Sequence, residues 1–371
     1  MSRRSRAVAP GPVPMQEGTG RERVIGLRKP MLVLSTVSAL LSLCAWTTCA
    51  QAPIRAAAGA DNDTAAPSES FSWRDETGES LDLLSNGRRV TRYMYACDPS
   101  TTESRQATYK PYHHAFDAAG EGLLTKGPGG LYTHHRGIFI GWNRVLYKGK
   151  SYDLWHMTGG LQAHQEFLEK TAAPLFARSK ALIHWNTAEG ETMLAEERET
   201  TVFRQPTDSA LLLLEFHTRL KAVSDDVLLD GDPEHAGFHY RPSNDLAENK
   251  KAVYLFHRDG IDPRKDRDLP WVALSYPLKN GREYLVQHMN HPGNPSPTVY
   301  SAYRDYGRFG AFFTRKIPAG EALDLRYRIW VAEGNIPEDE ASRNALRRQM
   351  DARHESFASA PQAEAASTEG K

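Results

Sequence analysis

Between Phe71 and Val331 the chain returns again and again to short apolar segments that alternate with polar residues and stop at Gly, Pro, Asn or Asp. Alternation of period two places every second side chain on one face of a strand, whereas a helix needs recurrence at every third or fourth residue. The clearest case is Leu323 to Val331. Leu323, Leu325, Tyr327, Ile329 and Val331 share one face, and Asp324, Arg326, Arg328 and Trp330 share the other. This predicts a half-buried antiparallel strand. Related segments span 181–186, 193–203, 210–220, 271–276, 283–289 and 309–314. Turn chemistry separates them at Gly149, Gly190, Gly260, Gly281 and Gly320. The expected fold is all-β: a large antiparallel β-sandwich, supersandwich-like, over residues 71–335.

The flanks read differently. Residues 336–357 are charged and rich in Ala, Arg and Glu, which predicts one short C-terminal helix, with a disordered tail over 358–371. At the other end Arg23, Arg28 and Lys29 precede an apolar run from Met31 to Leu43, and small residues follow as far as Ala50. That order predicts a signal peptide over 1–50, hence a periplasmic or secreted protein. Residues 51–70 read as a flexible linker. Cys44 and Cys49 belong to the leader, so Cys97 alone remains and no internal disulfide is expected. No stretch after residue 50 reaches the roughly 18–20 apolar residues of a membrane span. Lys plus Arg number 46 and Asp plus Glu number 46, so no basic excess points to nucleic acid.

Fourteen histidines stand in this chain, and six of them fall between His113 and His164. Glycine-rich loops border several, as at 127–130 before His134. Were Tyr132 to Ile140 a strand, His134 and Arg136 would share a face and His135 would take the other. His239 and Arg241 pair by the same rule. Such His/Arg pairs suit an anionic or hydroxyl-rich ligand, because arginine donates in a planar fork and histidine can donate, accept or shuttle a proton. We therefore take His134, His135 and His156 as candidate catalytic residues. His114, Arg136, Trp142, His239, Arg241, His291 and Asn294 are candidate substrate-binding residues. His291 and Asn294 stand in a proline-stiffened loop, and Trp142 offers a ring against which a sugar could stack. A divalent metal is a candidate cofactor, with His156, His164 and Glu166 as its candidate ligands.

Several blocks carry a family resemblance: Lys110 to His114, Thr125 to Gly137 with Gly141 and Trp142, Asp153 to His156, and His291 to Pro295 followed by Arg304 to Gly307. On these the chain resembles a bacterial family of unknown function labelled the PmoA family, or methane oxygenase PmoA. The resemblance implies a soluble β-sandwich, and the label implies a metal-dependent oxidase. The residues themselves point to an exported carbohydrate-active protein, an enzyme using histidine acid/base chemistry, with or without a metal, on a saccharide or other polyhydroxylated small molecule. Hydrolysis, elimination and epimerisation all fit that description. The alternative from another class is a non-catalytic sugar-binding module.

Overall fold

The computed structural model describes residues 70–205 and 210–360. The leader over 1–50, the linker apart from Ser70, and the tail from 361 onward lie outside the described residues. Every strand pairing is antiparallel, as the period-two segments require. Two eight-stranded sheets and one four-stranded sheet result. The first large sheet runs from the hairpin Phe71–Glu76 and Ser80–Ser85, through Arg88–Met94, Tyr112–Ala115, Ile138–Trp142 and Ala236–Tyr240, to Phe309–Phe312 and Val299–Tyr300. The second contains the four long strands Gly160–Ala172, Phe176–Thr187, Thr192–Phe203 and Ala210–Ala222. It continues into Ala322–Glu333, Glu283–Asn290, Trp271–Pro277 and Val253–Phe256. The sandwich expected from the sequence is therefore the observed architecture.

The inward faces of the two sheets supply one core. Phe238 of the first sheet packs against Phe216 and Tyr327 of the second, with ring centroids 4.5 and 4.4 Å apart. One substantial helix, Glu340–Ala358, covers the far face of the second sheet, where Met350 and Phe357 join Trp271, Met289 and Trp330. This cover corrects one reading of the pattern. Arg328 and Trp330, on the polar side of the Leu323–Val331 alternation, are buried. The Arg328 guanidinium binds Glu215 and lies over the Phe357 ring, while Arg353 stacks 3.9 Å above Trp330. A sheet face that would otherwise meet water is here a second interior, so charged side chains appear on it in paired form.

A second correction concerns the residues before Ile138. The strand begins at Ile138 and not at Tyr132. Gly129, Gly130 and Tyr132 adopt left-handed backbone, with φ of 80, 63 and 54°, and His135 N–H closes a turn onto the Tyr132 carbonyl at 2.9 Å. Residues 128–137 are thus a folded loop, and the strand rule for His134, His135 and Arg136 does not apply to it.

Buried histidines contribute to the acid stability, and two in the core illustrate how. His288 lies between the sheets, bound to Tyr300 Oη at 3.1 Å and the Phe238 carbonyl at 3.2 Å. His114 binds Thr125 Oγ1 at 2.9 Å. Burial depresses their pKa values to about 4 and about 3, against about 6.5 in an unfolded chain. Between those limits the unfolded state binds more protons than the folded one, so stability rises with pH across the window and is complete above it. For Asp82 and Glu234 burial works upward, but arginine contacts outweigh it and hold both at about 2, so they titrate below this window. Acidification from pH 7 to 4.5 should lower Tm progressively, and His288→Asn should make that dependence shallower by one histidine's share, since other buried histidines act in the same direction. A Tm independent of pH over this range contradicts the assignment.

Candidate metal centre

Two copies of one local arrangement build the site. Asp153 and His156 stand three residues apart in the turn that leaves the Lys150–Tyr152 strand. One oxygen of Asp153 accepts the backbone N–H groups of Trp155 and His156 at 2.9 and 2.8 Å, and the other meets His156 Nδ1 at 2.8 Å. Asp232 and His235 repeat this just before the Ala236–Tyr240 strand. There Asp232 accepts the Glu234 N–H at 2.9 Å and meets His235 Nδ1 at 3.0 Å. Burial alone would raise both aspartates, but the histidine and backbone hydrogen bonds outweigh it and keep them below their ordinary values. Each carboxylate therefore takes the Nδ1–H and leaves the Nε2 lone pair free to point elsewhere.

The Ile138–Trp142 strand ties the two turns together. Leu154 N–H donates to the Trp142 carbonyl at 2.9 Å, and Asn143 N–H donates to the His235 carbonyl at 3.0 Å. Gly141 makes the close approach feasible, since a Cβ there would stand 2.5 Å from the Leu154 oxygen. The glycine-rich loop brings the third histidine. His134 sits with its ring 4.6 Å from His156 and 5.8 Å from His235, and the last two rings are 5.1 Å apart. One nitrogen of each can be chosen so that all three lie within 4.8 Å of one another, the only such group among the described residues. His134 Nε2 is buried without a hydrogen-bond partner there. Burial, then the neighbouring His156 and Lys110, depress its pKa to about 3, so it is a neutral nitrogen donor near neutral pH.

Cations and rings surround this triad. Lys110 is buried, donates to the Trp155 carbonyl and lies 4.0 Å above the Phe139 ring. Arg241 is stacked 5.2 Å from Trp155. His135, buried beside His134, stacks on Tyr132 at 5.0 Å, and Tyr132 in turn meets Tyr306 at 4.6 Å. Tyr132 is 39% exposed, the one aromatic among the exposed large apolar residues described.

The remaining sequence candidates are dispersed. Arg136 faces the loop interior, donating to the carbonyls of Thr133, His135 and Gln106. His239 lies beneath Trp155, with Nε2 on the Ala236 carbonyl at 2.7 Å. His114 is a core residue. Trp142, read above as a sugar platform, is fully buried between Trp185 and Phe313, because its strand position points into the sandwich. His291 packs edge-on to Phe357 of the terminal helix, and Asn294 spends its amide on Asn290 and the Arg326 backbone. His164 and Glu166 do not join His156. The pairing of their strand slips between these two residues, which breaks the shared face, and His164 packs on Tyr95 and Phe167 instead. Neither of two surface clefts, one beside Phe71 and Phe116 and the other beside Tyr254 and Arg347, contains a histidine.

His235, Asp153 and Asp232 were absent from the candidate residues. Their signal was the spacing Asp-x-x-His at 153–156 and 232–235, a weak one because the same spacing recurs at 351–354 in the terminal helix, outside the site.

Fold and site together define a class: a large antiparallel sandwich with a three-histidine, two-aspartate cluster at the end of an inner strand of the first sheet. The chain belongs to the family of unknown function DUF6807, whose family model matches residues 80–346. That match replaces the PmoA resemblance and removes the support the oxidase expectation drew from that label. Among the described residues no helix is long and apolar enough to cross a membrane. No match is found among curated proteins. Among solved structures the chain is similar to a heparan sulfate lyase HepC mutant from Pedobacter heparinus (7% identity, TM-score 0.38, 71% of this chain and 37% of that one). It is also similar to a putative kojibiose phosphorylase from the human microbiome (9% identity, TM-score 0.31, 73% and 29%). The chain spans about a third of the length of these structures.

Proposed function

We propose that this is an exported metal-dependent enzyme acting on a saccharide, with His134, His156 and His235 as the metal ligands. The observation that carries the reading is the convergence of three imidazoles, two of them oriented by a carboxylate on Nδ1. Metal-binding histidines ordinarily donate their second nitrogen to such a partner, which fixes tautomer and ring orientation. Three nitrogen donors suit a divalent first-row ion such as zinc and leave a coordination position for water or substrate, the arrangement of catalytic rather than closed structural sites. A bound ion would supply Lewis acidity toward a substrate oxygen. Asp153 and Asp232 hold their imidazoles, and the buried Lys110 and Arg241 stand behind the triad as hydrogen-bond donors. The exposed Tyr132 face, backed by Tyr306, suits the apolar face of a sugar ring.

Asp153→Asn should weaken metal binding by about 10–100-fold while the fold is retained, because the amide orients the ring less firmly than the carboxylate. Competition with a chromogenic chelator measures this, and unchanged affinity would remove the carboxylate from the site. The enzymatic reading is tested by incubating the metal-loaded protein with a panel of neutral and acidic saccharides, with and without chelator. Turnover lost on chelation is expected. Saccharide binding without turnover would make the chain a sugar-binding module instead.

A further inference from the structure

Arg241 and Arg308 are buried to 1% exposure and converge on one residue. Arg241 Nη2 donates to the Glu234 backbone carbonyl at 3.0 Å, and Arg308 Nη1 meets a Glu234 side-chain oxygen at 2.5 Å. Glu234 directly precedes the ligand candidate His235 in the chain. These contacts leave most of each guanidinium unused. Nε and Nη1 of Arg241 and Nε and Nη2 of Arg308 are buried with no hydrogen-bond partner among the described residues.

The charges do not balance. Of this pair the Glu234 carboxylate meets Arg308 alone, and it is shared with the half-exposed Arg304 and with Tyr303 Oη. Lys110 adds a further buried amine whose one hydrogen bond is to a carbonyl, with burial first and then Arg136 and Arg241 pushing it well below the ordinary lysine value. Burial first, and then the neighbouring Arg308, push the Arg241 guanidinium well below its ordinary proton affinity. A buried cation without a counter-charge is costly, and four donors without acceptors add to that cost. An ordinary structural arginine of this protein looks different. Arg198 is equally buried, and its three nitrogens all reach oxygens of Glu196 or Pro111.

We infer that the ligand of this protein is acidic, and that its carboxylate seats against Arg241 and Arg308 beside the histidine triad. The planar fork of each guanidinium matches a carboxylate, and the free donors of two arginines satisfy its oxygens from two directions. The chemical class is a uronate, a sugar bearing a carboxylate. Assigning that carboxylate to the substrate rests on the saccharide reading of the triad, whereas the anion site stands on the arginines. A free inorganic anion offers the same charge, so the test separates the two sources.

The full chain is titrated with glucuronate, glucose, chloride and phosphate, following Tm and binding heat, once with zinc present and once after chelation. Glucuronate should raise Tm and glucose at equal concentration should not, since a ligand of the folded state alone stabilises it by mass action. Arg308→Gln and Arg241→Gln should each weaken glucuronate binding at least tenfold while zinc still binds. Should either variant fail to fold, competition in the zinc-free wild-type chain decides: phosphate should displace glucuronate, and glucuronate binding that phosphate leaves unchanged overturns the inference. No preference for glucuronate over glucose overturns the inference. So does stabilisation by chloride or phosphate with none by glucuronate, which would mark a resident inorganic ion. Zinc binding without uronate binding leaves the metal reading intact and rejects this one. Uronate binding without zinc binding does the reverse.

Discussion

A chain carrying His235→Ala should purify folded and without stoichiometric metal. His235 is one of three nitrogen donors, and its side chain is 29% exposed, so its removal opens little of the core and Tm of the metal-free protein should move by only a few degrees. The effect on the metal should be far larger. Losing an orienting carboxylate costs about 10–100-fold in affinity, and losing the ligand itself should exceed that range. His156→Ala should behave alike. His291→Ala provides the contrast, because that ring packs on Phe357 and stands outside the group. Elemental analysis of zinc-loaded, desalted protein checks the expectation, with cobalt spectra as an independent report on nitrogen ligation. Full occupancy in both His156→Ala and His235→Ala would mean that the triad is not a metal centre.

How much of this was legible beforehand depends on which physical signal each part emits. Strands announce themselves locally. The alternation from Leu323 to Val331 lies inside the observed Ala322–Glu333 strand, and the segments at 193–203 and 283–289 fall within observed strands in the same way. What alternation does not carry is the identity of whatever covers the second face, which is why the strand read as only half-buried. The cover is supplied by a helix from the end of the chain. The site shows the same division. His134 and His156 stand in a conspicuous local cluster. His235 comes from far along the chain, after four long strands of the second sheet, delivered by the antiparallel register that sets Ala236 opposite Trp142. Pairing of that kind is set by tertiary contacts and leaves no mark in either segment alone. The Asp-x-x-His turns were local, but a reading organised by period two gives no weight to a spacing of three. His164 and Glu166 failed for a related reason, since a bulge between them reverses the face that strict alternation assigns.

Glu196→Ala should be the most destabilising single change in the sandwich, by about 3–5 kcal/mol, because it strands a buried arginine. Glu196 and Arg198 lie on the Thr192–Phe203 strand with side-chain exposures of 0 and 1%. The glutamate accepts from Arg198 Nε and Nη2, from Trp185 Nε1 at 2.7 Å and from Thr218 Oγ1 at 2.9 Å, so alanine leaves four donors unanswered at once. The arginine also ties the two large sheets together. Its Nη1 donates to the Pro111 carbonyl at 3.1 Å, just before the Tyr112–Ala115 strand. At roughly 2–4 °C per kcal/mol for a domain near this size, Tm should fall by about 6–20 °C. The double change of Glu196 and Arg198 to leucine should recover part of the loss, because an apolar pair removes the stranded charge and fills the volume. Recovery should stay incomplete, since Trp185, Thr218 and the Pro111 carbonyl keep their unmet polar groups. Metal affinity should be unchanged in any of these variants that folds, because neither residue belongs to the triad. Thermal unfolding of the three proteins tests the argument. If Glu196→Ala proved as stable as the parent, water would have to reach the arginine and this part of the interior would be wetter than its packing implies.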